Sequence, residues 1–117
     1  MEASKYHHYL FQMIDELKRE NADYIVIWGS YANARKCKRF LDENYQIKAD
    51  ACVVNKEFIN SPINCVDIDE DFPLVSIENW LDNHDDTDII VDFSFFRTEM
   101  LHLYTKRIRR VFIGDIM

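Results

Sequence analysis

A chain of 117 residues that is 48% hydrophobic and 30% charged, with two glycines and two prolines, has the composition of one dense globular domain and excludes a linker or disordered tail. The net charge of −7 repels phosphate backbones and argues against nucleic acid as a partner, which would need a local basic patch; the candidate patch is Arg35, Lys36, Lys38 and Arg39. The longest apolar runs are strand-sized, far below the ~20 residues a membrane helix needs, and the opening Met1-Glu2-Ala3-Ser4-Lys5 leads into no signal-peptide core, so no membrane segment and a cytoplasmic location are expected.

The first predicted element is an amphipathic helix over residues 4–20. There Tyr6, Tyr9, Leu10, Met13, Ile14 and Leu17 recur at helical spacing, with charged residues on the other faces. The continuous apolar run 24–28 then predicts a strand buried on both faces, and Gly29-Ser30 turns the chain. From Tyr31 to about Asn44, Ala34, Cys37, Phe40 and Leu41 return to helical period and mark a crossover helix.

A second strand is predicted at 49–54. The acidic stretch 55–72 reads mostly as loop, with short strand character at 63–68. Residues 73–75 predict an edge strand, where Pro73 is tolerated, and Ser76 is placed to cap a short helix over 76–81. A fourth strand follows at 88–92, then a helix over 97–107 burying Met100, Leu101 and Tyr104, then a last strand at 110–113. Strands alternating with helices demand right-handed crossovers and a parallel sheet covered on both faces. The expected architecture is therefore a single α/β domain over 1–117, a Rossmann-like three-layer arrangement with strand order 3-2-1-4-5 and the N-terminal helix packed on it.

Three cysteines, Cys37, Cys52 and Cys65, are an odd number without C-x-x-C spacing, which predicts reduced, mostly buried thiols and neither a disulfide framework nor a zinc site. Asp67-Ile68-Asp69-Glu70-Asp71 contains a D-x-D spacing suited to a hard cation, yet an acidic run in a loop reads more simply as solvated surface. His84 among Asp82, Asp85, Asp86 and Asp88 is read in the same way, as charged residues at a turn that point into water. His7, His8 and His102 have no paired nucleophile and no G-x-S-x-G elbow near them, so no triad can be assembled.

In sheets of this kind ligands bind beyond the carboxyl ends of the strands where the order reverses, here between Gly29 and Asp92. The turn there reads G-x-Y-x-x-A, whereas a dinucleotide fingerprint is G-x-G-x-x-G/A. Tyr31 stands where a pyrophosphate would approach the backbone and is expected to obstruct an extended cofactor. If the loop is merely structural, replacing Tyr31 with Gly should change little. Asn55-Lys56-Glu57 ends the second strand without a convincing ribose-reading acid, although Asn55 can hydrogen-bond a sugar hydroxyl. The candidate ligand-binding set is Gly29, Ser30, Tyr31, Asn55 and Asp92, with no catalytic or metal-ligating residue and no resident cofactor expected.

The residues 25–30, the helix end Phe40-Leu41-x-x-Asn44, the strand Asp50-Ala51-Cys52-Val53-Val54-Asn55, the segment Pro73-Leu74-Val75-Ser76-Ile77-Glu78 and the strand Asp88-Ile89-Ile90-Val91 resemble the N-terminal Rossmann-like domain that precedes the catalytic domain of FkbM-type methyltransferases. Similar small domains precede sugar-modifying enzymes. The resemblance implies an accessory domain, not catalytic alone, serving substrate recognition or subunit contact beside an attached or partner transferase domain. In those methyltransferases the S-adenosylmethionine site lies in a later domain, outside this stretch. The alternative is a free-standing module for a nucleotide, a nucleotide-sugar or a small anion.

Overall fold

The computed structural model of the chain describes residues 12–19, 22–61, 67–92 and 108–114, with Asp92 and the last strand given by their backbone alone. The expected helix over 97–107, the strand character at 63–66, the N-terminal part of the first helix and Cys65 lie outside the described residues.

Helix α1 is seen over residues 12–19, where Met13, Ile14 and Leu17 are buried and the intervening charged residues are exposed. Arg19 pairs with Asp15 one turn earlier on its wet side. Strand β1 (Tyr24–Trp28) leads through Gly29-Ser30 into helix α2 (Tyr31–Tyr45), which buries Tyr31, Ala34, Cys37 and Leu41 along one stripe. Helix α2 ends in a left-handed cap: Gln46 adopts φ 57°, and the Gln46 and Ile47 amides donate to the Asp42 and Leu41 carbonyls, each at 3.1 Å.

Strand β2 (Ala51–Val54) begins later than the apolar run suggests. Just before it the Asp50 carboxylate accepts the Ile25 amide at 2.8 Å, supplying from a side chain what a longer ladder would supply from a carbonyl. A 3-10 turn at Lys56–Phe58 follows. Strand β3 (Leu74–Ser76) starts just after Pro73, which has no amide to give; the Pro73 carbonyl instead accepts from Cys52 at 2.9 Å. Helix α3 (Ile77–Asn83) is capped as expected, the Ser76 hydroxyl accepting the Asn79 amide at 3.1 Å. Strands β4 (Thr87–Asp92) and β5 (Ile108–Gly114) complete the sheet, both beginning earlier in sequence than expected.

All strand pairs are parallel, and the order runs β3-β2-β1-β4, with the backbone of β5 alongside β4. The α/β class and the parallel sheet are those expected, and the topology is compatible with a Rossmann-like fold. Alternation along each strand divides the core in two. Ile27, Cys52 and Ile90 face α1 and α2, packing with Leu17, Tyr31, Leu41 and Phe72. Val26, Trp28, Val53, Ile89 and Val91 face the other way, against Ile77, Trp80 and Leu81 of α3. Each such side chain removed fully from water contributes roughly 1.5–3 kcal/mol, so both faces of the sheet are held by burial.

Candidate functional site

The register fixes which residues share the carboxyl edge of the sheet. Trp28 pairs with both Val53 and Val91, Val54 with Ser76, and Asp92 with Gly114. One step further along, Gly29, Val54 and Asp92 are level, and Ser30 and Asn55 stand just beyond them. Four of the expected residues, Gly29, Ser30, Asn55 and Asp92, are thus gathered at one edge where the strand order reverses.

Gly29 is buried, its carbonyl accepting the Cys52 thiol at 3.5 Å, and it does not take the left-handed conformation. Ser30 starts α2 with extended backbone, φ −62° and ψ 146°, and its carbonyl accepts the Ala34 amide at 2.9 Å. Its hydroxyl makes no capping bond. Asn55 repeats the pattern at the 3-10 turn, φ −61° and ψ 143°, with its carbonyl accepting Phe58 at 2.8 Å and its carboxamide making no capping bond. Both residues are half-buried, and neither side chain caps the turn it precedes. No acidic residue lies in the first turn of α2, whose N-terminus carries a partial positive charge.

Tyr31 departs from the expectation. It does not stand in the crevice as an obstruction; its side chain is 0% exposed and lies in the core between α2 and the stretch that precedes β3. The hydroxyl donates to the Phe72 carbonyl at 2.7 Å and accepts the Asp69 amide at 2.9 Å, and the ring packs on Phe72 with centroids 5.7 Å apart. The physical reason is helical phase: as the first residue of α2, Tyr31 shares a stripe with Ala34, Cys37 and Leu41, all of which face the sheet. Burial pushes its phenol above the ordinary value of 10.0.

Glu78 is a residue that sequence reasoning missed. Both of its carboxylate oxygens accept the Lys56 amide, at 3.3 and 3.2 Å, so an acid does sit at the end of β2, although it comes from the first turn of α3. Glu57, the residue at the expected spacing, is exposed. The signal was available: Ser76 as helix cap puts Glu78 in the first turn, and β3 beside β2 brings that turn to the end of β2.

The acidic run 67–71 is not simply solvated surface. Arg35 donates to the Asp67 carbonyl at 2.9 Å, the Asp69 carboxylate lies 3.9 Å from both Arg35 and Arg39, and Lys38 donates to Asp71 at 2.9 Å. That hydrogen bond from Lys38 holds the Asp71 carboxyl below the ordinary carboxylate value. Nor does His84 point into water. It is half-buried, stacked on Trp80 at 3.6 Å with the Tyr24 ring edge-on at 4.7 Å, beside the starts of β1 and β4 and at the opposite end of the strands from Ser30. Asp86 takes left-handed φ 54° and accepts the Asp23 amide at 3.1 Å.

Cys37 and Cys52 are buried cysteines, and desolvation pushes the Cys52 thiol up to about 12. The buried indole N–H of Trp28 has no hydrogen-bond partner among the described residues; its ring belongs to the α3 face of the sheet. Among the described residues no group of three or more His, Cys, Asp or Glu is arranged to hold a metal ion, and no helix is long and apolar enough to cross a membrane. Comparison of the chain with protein-family models, with curated proteins and with solved structures returned no match.

Proposed function

We propose that this chain is a non-catalytic, cytoplasmic Rossmann-like recognition domain that takes a compact polar ligand, a small anion or a nucleotide-sugar, at the carboxyl edge of β1, β2 and β4. In this role it serves a glycan-modifying transferase, attached or separate, by substrate recognition or subunit contact. The observation that carries the reading is the pair Ser30 and Asn55, which stand at one edge in helix-capping positions without capping. A serine hydroxyl and a carboxamide left over in this way can donate to and accept from sugar hydroxyls or anionic oxygens. Glu78, facing the Lys56 amide beside Asn55, adds an acceptor of the kind that holds a sugar diol.

An extended dinucleotide fits the loop less well. Gly29 lacks the left-handed turn, and no second glycine follows it. Fold analogy supplies the association with a transferase, and the site chemistry supplies the ligand class.

Calorimetric titration with UDP-glucose, inorganic phosphate, S-adenosylmethionine and NAD tests the reading. Binding of the nucleotide-sugar or phosphate is expected, weakened roughly tenfold by Ser30→Ala or Asn55→Ala, the value of about one hydrogen bond. At a hundredfold above its dissociation constant the ligand should add about 2.7 kcal/mol of stability. Micromolar affinity for S-adenosylmethionine or NAD, or no binding of either favoured ligand, overturns it.

A further inference from the structure

Arg35, Lys38 and Arg39 stand at i, i+3 and i+4 on α2 and therefore share one flank of the helix. The stretch 67–71 lies against that flank and is held there by charge, with Arg35 on the Asp67 carbonyl, Asp69 between two guanidinium groups at 3.9 Å each and Lys38 on Asp71, and by the Asp69 amide on the Tyr31 hydroxyl. The Asp71 side chain is 73% exposed and that of Arg39 is 59% exposed, whereas those of Lys38, Arg35 and Asp69 are 14%, 25% and 34% exposed, so each pair with Asp71 or Arg39 opens to solvent on one side. The end of the stretch is held differently. Phe72 is fully buried against Tyr31, and the Tyr31 hydroxyl ties down its carbonyl. An ion pair open to solvent on one side is weakened by salt, with a Debye length of about 8 Å at physiological ionic strength and about 3 Å at 1 M, whereas a buried ring contact is not.

We propose that residues 67–71 are a displaceable internal ligand, an acidic strap hinged at Phe72 that occupies the basic flank of α2 and yields it to a polyvalent oxyanion such as a phosphate chain. In a chain of net charge −7, Arg35, Lys36, Lys38 and Arg39 are four cations within five residues, and the strap pairs with three of them, Arg35, Lys38 and Arg39. Tethering gives the strap a high effective concentration, which a monovalent ion does not match. An anion that carries several charges on one short chain engages the three cations together and competes with it. The inference concerns the flank of α2 and stands independently of the reading of Ser30 and Asn55.

The Asp69 amide, which donates to the Tyr31 hydroxyl, reports on the strap, and the Cys52 amide, which donates to Pro73, reports on the sheet. Amide hydrogen exchange, followed by NMR at matched pH and ionic strength in sodium chloride and in sodium tripolyphosphate, separates screening from competition. Tripolyphosphate is expected to accelerate exchange at Asp69 several-fold over chloride while Cys52 keeps its rate. In Lys38→Gln and Arg39→Gln the difference between the two salts should vanish. Arg39 is mostly exposed, so its replacement leaves the core untouched, and retained Cys52 protection verifies this. Equal exchange in the two salts, a difference that persists in both variants, or parallel acceleration at Cys52 overturns the proposal.

Discussion

Tyr31 fastens the first turn of α2 to the stretch that precedes β3. Its hydroxyl joins the Asp69 amide and the Phe72 carbonyl, so Tyr31→Phe leaves a buried carbonyl and an amide without their partner. A loss of about 1–3 kcal/mol is expected in urea unfolding, the cost of unsatisfied buried groups. Tyr31→Gly removes the ring as well and should cost about 3–5 kcal/mol, as large-to-small core changes do. A change of a few tenths for either variant would mean that the ring is not in the core. The expectation from sequence, that glycine there alters little, treated residue 31 as a loop position. The helix in fact begins at that residue and turns its side chain inward.

At the scale of elements, the helix ends are where local chemistry and geometry can be tested separately. Gln46 holds a left-handed φ of 57°, a conformation that glycine adopts without a Cβ penalty, so Gln46→Gly should raise stability by about 0.5–1 kcal/mol. Ser76→Ala removes the only side-chain cap seen on α3 and should lower stability by about 1 kcal/mol. Opposite signs in the two urea midpoints are the check; the same sign in both would reject the capping account. Ser76 was legible as a cap because serine before an apolar turn has a specific local meaning. Gln46 was not, because glutamine has no such preference and only the Asp42 and Leu41 carbonyls reveal the turn.

For the whole molecule, the alkaline limb of the stability curve carries a stated sign. Burial raises Cys52 from 9.0 to about 12 and raises Tyr31 above 10.0, so both stay protonated in the fold at pH values where the unfolded chain releases those protons. Their contribution is complete below the ordinary thiol value and is lost as pH rises through the folded values. The unfolding free energy from urea titration should therefore fall between about pH 9 and pH 12, by at most about 1.4 kcal/mol per pH unit for each proton. Cys52→Ala should flatten the first part of that decline. An unchanged slope in this variant would show that Cys52 is not the group responsible. In the native protein Cys52 should resist alkylation that proceeds readily in urea, since a buried neutral thiol is a poor nucleophile.

Legible in the sequence were the α/β class, the parallel sheet, the strand run 24–28, a second strand expected at 49–54 that in fact begins at Ala51, the crossover helix and the Ser76 cap. Each of these follows from hydrophobic period or from a residue whose backbone preference is local. It also indicated the edge between Gly29 and Asp92, because topology follows from element order. Tertiary structure alone decided how the polar residues are used. Asp69 and Asp71 read as solvated acids until α2 supplied Arg35, Lys38 and Arg39 across a long stretch of intervening chain. Glu78 gained its place at the end of β2 from strand order, and Tyr31 lost its place in the crevice to helical phase. A charge or a hydroxyl acquires its partner from whichever element is packed beside it, and that adjacency is non-local, whereas the pattern that forms the element is written within it.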